Sequence, residues 1–223
     1  MSDANEMILR IDPENARLTV EKCRGGVIAR KEITADALYE CVRQSLKREG
    51  HFSGFLPANC LAVYQDNEYM AVIIWHPLSR ADITLEETVY PNFPLPRLVF
   101  GFGLSRDGKV RECRLCVVHD ETPRPETPLY KYPFSNVRGT SVCVGSNPLP
   151  VYRELRAISS LPDFILRIPN NFESYDKNNN KLKLEYRDLM ERLKDKDSAY
   201  YYSHVLIPEK ETLSDFIKGG IYQ

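Results

Sequence analysis

A chain of 223 residues is long enough to bury a full hydrophobic core, and one main domain with extensions fits that length better than two equal halves. Thirty basic against thirty-one acidic residues leave a formal charge of -1, which speaks against the cationic surface that neutralises a nucleic-acid backbone. The start, Met1-Ser2-Asp3-Ala4-Asn5-Glu6, lacks the basic flank and apolar segment of a secretory signal, and the longest apolar run, residues 70 to 75, is far too short to span a bilayer; a cytoplasmic protein without nucleic-acid or membrane partners is expected.

In chain order, residues 7 to 11, 17 to 23 and 27 to 33 read as three strands of a small meander, with Gly25-Gly26 before the third. Thr34 is a candidate N-cap for a helix running to about Glu49, with Asp36 in its first turn and Leu38, Cys41, Val42, Ser45 and Leu46 along one face, and Gly50 ends it. Two β-rich runs follow, 59 to 65 and 68 to 76, separated by the turn pair Asp66-Asn67. Pro77 opens a polar connection, and Trp75-His76-Pro77 reads as an edge feature rather than a site. Beyond Tyr90-Pro91 and Pro94-Leu95-Pro96, residues 97 to 104 and 109 to 118 flank Arg106-Asp107-Gly108, a second hairpin signal.

Residues 119 to 133 carry four prolines and no periodicity, so they are expected as a long ordered loop leading into the segment around Asn136 and Cys143. Pro148 and Pro150 precede an expected helix over 151 to 161, with Val151, Leu155 and Ile158 on one stripe and Pro162 closing it. Residues 170 to 180 read as a loop. Leu182, Tyr186, Leu189, Met190 and Leu193 then form an apolar stripe on a charged helix that should dock on the core. Residues 200 to 207, opening with three tyrosines, read as a half-buried strand or, alternatively, a protein-binding surface, and 213 to 217 as a last short helix.

Six cysteines in a chain with no signal peptide are expected as free thiols. Cys113 and Cys116, with His119 nearby, resemble half a zinc site. They lie on one strand, however, where residues three apart face opposite sides, and no second ligand pair is spaced to join them. No metal or other cofactor is expected.

Chemistry concentrates at Asn136 and Cys143, seven residues apart with Gly139 between them to turn the chain. A thiol nucleophile and an amide donor are what acyl transfer through a thioester requires; the plain alternative is a small hydrophobe beside a turn. A cation or a helix N-terminus favours the thiolate, and Arg138 and the N-terminus of the following helix are candidates for that role. A phosphatase loop would need arginine at position 149, which is Leu149, and a cysteine peptidase would need a histidine base, for which His76, His119 and His204 are candidates.

The order helix, four strands, long loop with Asn then Cys, and a helix behind it resembles the ubiquitin-conjugating enzyme fold. Tyr90-Pro91 with Pro94-Leu95-Pro96 and Phe100 looks like that family's signature before its third strand. Phe134-Ser135-Asn136 with Gly139 and Val142-Cys143 looks like its His-Pro-Asn, Gly and Ile-Cys motif. More narrowly, the runs 95 to 100, 127 to 130, 133 to 137 and 142 to 145 resemble the prokaryotic ubiquitin-conjugating-like proteins that include PRTRC system protein B.

The resemblance implies an α+β fold, an antiparallel four-strand meander packed on helices. Its core would span 34 to 161, with an N-terminal β extension over 1 to 33 and a C-terminal helical extension over 162 to 223. It further implies a carrier role. Cys143 would accept a ubiquitin-like modifier from a ThiF-like adenylating enzyme and pass it to a lysine of a target protein, while Asn136 stabilises the oxyanion or positions the loop; an adaptor of the same fold without transfer activity is the alternative. Phe134 in place of histidine, Ser135 in place of proline, and an Asn-to-Cys spacing of seven rather than eight depart from the eukaryotic pattern.

Overall fold

The computed structural model describes residues 6 to 15, 17 to 24, 27 to 45, 53 to 77 and 79 to 219. Contacts divide the chain into two units, 1 to 52 and 53 to 223. In the first unit, β1 (Glu6–Asp12), β2 (Arg17–Arg24) and β3 (Val27–Ile33) form an antiparallel meander. Strand alternation puts Met7, Leu9, Ile11, Leu18 and Val20 on one face. On the other, Glu21 is buried between Arg10 (3.0 Å) and Arg30 (2.7 Å). Thr34 caps α1 (Ala35–Ser45) as expected, its Oγ1 accepting the Ala37 N–H at 3.1 Å. The Gly25-Gly26 turn and the end expected for the helix at Gly50 lie outside the described residues.

The second unit is built on β4 (Cys60–Gln65), β5 (Tyr69–His76), β8 (Arg97–Ser105) and β9 (Val110–Val118), adjacent in that order and antiparallel throughout. Asp66 closes the first turn by accepting the N–H groups of Glu68 (2.9 Å) and Tyr69 (2.8 Å). Gly108, at φ +80°, closes the second, where a Cβ would run into the Tyr152 carbonyl oxygen.

The polar connection expected after Pro77 is instead a hairpin of its own, β6 (Ser79–Leu85) and β7 (Thr88–Leu95). Two features hid it. Its turn, Glu86-Glu87, lacks the usual glycine or asparagine although Glu86 takes φ +52°. Its prolines, Pro91 and Pro94, which lack a backbone N–H for a sheet ladder, are tolerated because both strands of a two-stranded ribbon are edges.

The sheet continues past β9 through short strands. β10 (Pro128–Tyr130) lies within the stretch expected as a loop and joins β9 to β13 (Pro208–Thr212), while β11 (Val137–Arg138) and β12 (Ser141–Val142) extend from β9 near Arg114. Alternation divides the interior. Val72, Ile74, Phe100, Phe102, Leu115 and Val117 belong to the larger core cluster, and Ile73, Val99, Cys116 and Val118 to the smaller one.

Helical segments cover both clusters. The helix expected over 151 to 161 does not form as a unit: Val151 bridges Lys109, a 3-10 turn spans Leu155–Ser160, and α2 follows over Leu161–Leu166. Pro162 sits in the first turn of α2, where its missing N–H has no partner to lose, instead of closing a helix. The stripe Tyr186, Leu189, Met190 and Leu193 on α3 (Tyr186–Leu193) is buried in the larger cluster. The strand expected at 200 to 207 is a π-helical turn, Tyr201–Val205, in which the fully buried Tyr201 donates its hydroxyl to the Pro94 carbonyl at 2.8 Å. Helix α4 (Leu213–Gly219) sets Leu213 and Phe216 in the smaller cluster. Among the described residues no helix is long and apolar enough to cross a membrane.

Candidate active site

Strands β11 and β12 form a hairpin with a two-residue loop, Gly139-Thr140, pairing Val137 with Val142 and Arg138 with Ser141. Gly139 takes φ +59°, a backbone state that favours glycine and recurs in two-residue hairpin turns. Continuing the register by one step sets Asn136 opposite Cys143, whose N–H donates to the Asn136 carbonyl at 2.7 Å. The seven-residue spacing thus has a geometric basis. Across a two-residue loop, facing positions are separated by odd numbers, and a spacing of eight would break the pair.

The segment before the hairpin is held by groups that sequence reasoning did not single out. Asn136 sits at φ +62°, a left-handed conformation that asparagine tolerates, and its Nδ2 donates to the Pro169 carbonyl at 3.0 Å. One residue earlier, the fully buried Ser135 donates its hydroxyl to Asn170 Oδ1 at 3.0 Å. Asn170 in turn is stitched to β6: its amide N–H donates to the Thr84 carbonyl at 2.8 Å, and its own carbonyl accepts from Glu86 at 2.8 Å. The only prior signal for Asn170 was its polar type, in a stretch read as loop.

Phe134 stands where the resembling family carries histidine. It is buried, with ring centroids of Tyr132 at 5.3 Å, Phe93 at 5.7 Å, Tyr201 at 6.1 Å and Tyr186 at 6.5 Å. Edge-on aromatic packing fixes this loop position through apolar contact.

Cys143 is exposed, and beside it Asn136, Val142, Ile165, Leu166 and Ile168 line a cleft of about 20 Å³. Such a volume holds about one water molecule, so the thiol faces solvent and is not walled into an enclosed substrate pocket. Arg138 is exposed on the outer strand of the hairpin. The next helical residue after Cys143 is Leu155, so the thiol does not sit in the first turn of a helix, within which a helix terminus acts.

Cys113 packs in the larger core cluster and Cys116 in the smaller, so the two thiols point away from one another. Burial pushes the Cys113 thiol up to about 12 and raises that of Cys116 as well. The three histidines weighed as a base are engaged elsewhere. His76 contacts Ser79 (3.3 Å) and Asp163 (3.5 Å), His119 lies against the Tyr202 ring, and His204 stacks on Tyr200. None of them lines the cleft beside Cys143.

A family model described as prokaryotic E2 family D matches residues 35 to 164, more than half of the chain, and this span includes Asn136, Gly139 and Cys143. No curated protein and no solved structure matches.

Proposed function

Because the chain belongs to prokaryotic E2 family D, whose name points to a role in ubiquitin-like conjugation, we propose that it carries a ubiquitin-like modifier as a thioester on Cys143 and delivers it to a lysine amine. The observation that supports this most directly is the pairing of an exposed thiol with Asn136 across a tight hairpin. The four strands β4, β5, β8 and β9, with α2 behind the site, correspond in this reading to the conjugating-enzyme meander and its following helix.

In the charging step the Cys143 sulfur attacks the carbonyl carbon of the modifier's C-terminal glycine, itself a thioester on a ThiF-like activating enzyme. A new C–S bond forms, the activating enzyme's sulfur leaves as thiolate, and the Cys143 proton passes to solvent. In the delivery step a lysine amine attacks the same carbon, an amide forms, the bond to Cys143 breaks, and the amine's proton is lost to water. The Asn136 amide has two N–H groups. With one engaged by Pro169, the other is available to the oxyanion that develops in the delivery step. The thiol is exposed, so an extended peptide tail can approach it from solvent.

A second reading, a non-catalytic adaptor that binds the modifier or its activating enzyme, draws on one observation: the recorded amide bond of Asn136 goes to the Pro169 carbonyl and not toward the thiol. Incubation with activating enzyme, modifier and ATP separates the two. The carrier yields an adduct that added thiols discharge, Cys143→Ala abolishes it, and Cys143→Ser, if charged, gives a more slowly discharged oxyester. An adduct that survives Cys143→Ala overturns the site, and binding without any adduct establishes the adaptor.

A further inference from the structure

One buried cation joins the hairpin that presents Cys143 to the C-terminal helix. Arg114 on β9 is 8% exposed. Its backbone pairs with Ser141 of β12, and the N–H of the next residue, Leu115, donates to the Thr140 carbonyl at 2.8 Å. Its guanidinium reaches both ways. Nε donates to Thr140 Oγ1 in the hairpin turn at 3.4 Å, and Nη1 donates to the Phe216 carbonyl in α4 at 2.7 Å. The group also lies over the Phe216 ring, 4.5 Å from its centroid, and a Cβ at Gly219 would come within 3.1 Å of Nη2.

Each partner suits this arrangement. A cation near a helix C-terminus is favoured by the backbone dipoles and satisfies a carbonyl left over at the helix end. The planar fork of arginine can address two acceptors that a lysine ammonium would not span. The Glu112 carboxylate, 3.7 Å from Nε, balances the charge. A buried guanidinium deprived of these partners is costly, so the hairpin turn and α4 hold their places together. Glycine at 101 assists, since a side chain there would press on the Phe216 ring at 3.3 Å.

We propose that Arg114 is a positioning residue for the transfer reaction: it braces the Thr140 turn against α4, and delivery from Cys143 therefore depends on that helix being docked. This rests on the reading of Cys143 as the carrier thiol. Arg114 touches neither the thiol nor Asn136; it acts through the turn that sets them face to face.

The test compares the full-length protein with Arg114→Met, which keeps an apolar stem over Phe216 and removes the donors, and Arg114→Lys, which restores the charge without the fork. In the Met variant, amide hydrogen exchange at Leu115 and Cys143 should rise about tenfold or more, while the β5 amides paired with β8 stay as in wild type. Thioester formation should stay within about twofold and discharge to free lysine should slow about tenfold, with the Lys variant in between. Unchanged exchange at both amides, or charging and discharge falling in equal measure with the loss of folded protein, overturns the proposal. If the Met variant does not fold, Thr140→Val removes a single acceptor, and a rise of about threefold in exchange at the same two amides supports the brace while no rise refutes it. A wild-type protein that forms no thioester defeats the carrier reading, and the exchange measurements then decide the brace alone.

Discussion

Asn136 and Cys143 face each other across the Gly139-Thr140 turn, joined by the Cys143 N–H donating to the Asn136 carbonyl at 2.7 Å. Inserting one residue between Gly139 and Thr140 restores the eight-residue spacing of the eukaryotic pattern but throws this pair out of register. The insertion should lower delivery to lysine about a hundredfold, the range seen when an oxyanion donor is lost. Single-turnover discharge measures it, and a rate near wild type would show that the pairing does not serve the chemistry.

Substitutions at two glycines should separate conformational strain from collision. Gly139→Ala meets open space and only the left-handed backbone, for about 1 to 2 kcal/mol. Gly108→Ala combines the same backbone strain with a clash against the Tyr152 carbonyl and should destabilise more. Urea unfolding of both variants gives the order, and the reverse order would refute this account of the turns.

Phe134 holds the site loop by packing. Phe134→Ala should cost about 3 to 5 kcal/mol through the cavity it leaves among four aromatic rings. Phe134→His should also destabilise, by about 1 to 3 kcal/mol, because the ring nitrogens would enter an apolar site. A histidine variant as stable as wild type would mean that the loop retains a polar partner for that position.

Ser135 and Asn170 should behave as one unit. Asn170→Ala leaves the Ser135 hydroxyl buried without its acceptor, for about 1 to 3 kcal/mol. Ser135→Ala added to it should cost little more, so a double-mutant cycle yields a coupling energy of about 1 kcal/mol. Additive effects would break the link.

Alkaline pH should weaken the fold. Burial pushes the Cys113 thiol and the Tyr186 hydroxyl up to about 12 in the folded chain, from ordinary values of 9.0 and 10.0. Their contribution is complete below the unfolded values and declines as pH rises through 9 to 12, because the unfolded chain releases those protons first. Stability measured by urea should therefore fall across that window, and Cys113→Ala should flatten the part owed to the thiol. In the same samples at neutral pH, alkylation should label the exposed Cys143 and Cys41 before the buried Cys113 and Cys116.

Elements with strong local signals were legible in the sequence. The hairpins around Asp66 and Gly108 carry turn residues that sterics demand, and α3 declares its buried face by its spacing. The β6–β7 hairpin turns on Glu86-Glu87, which sterics alone would not select, and residues 201 to 205 wind into a π-helix because Tyr201 finds its acceptor on β7. At the site, residue type and spacing pointed to Asn136, Gly139 and Cys143. The partners Pro169, Asn170 and Arg114 could not be found that way, since their roles arise only when distant segments meet.

Those distances along the chain impose an order of assembly. Ser135 waits for Asn170, 35 residues later, and Arg114 for Phe216, 102 residues later. During synthesis, which proceeds from the N-terminus, Cys143 leaves the ribosome well before the helix that braces its turn. A chain that stops short of α4 would expose the thiol without the completed setting around it, so if Cys143 carries a modifier, that role begins only once α4 has docked.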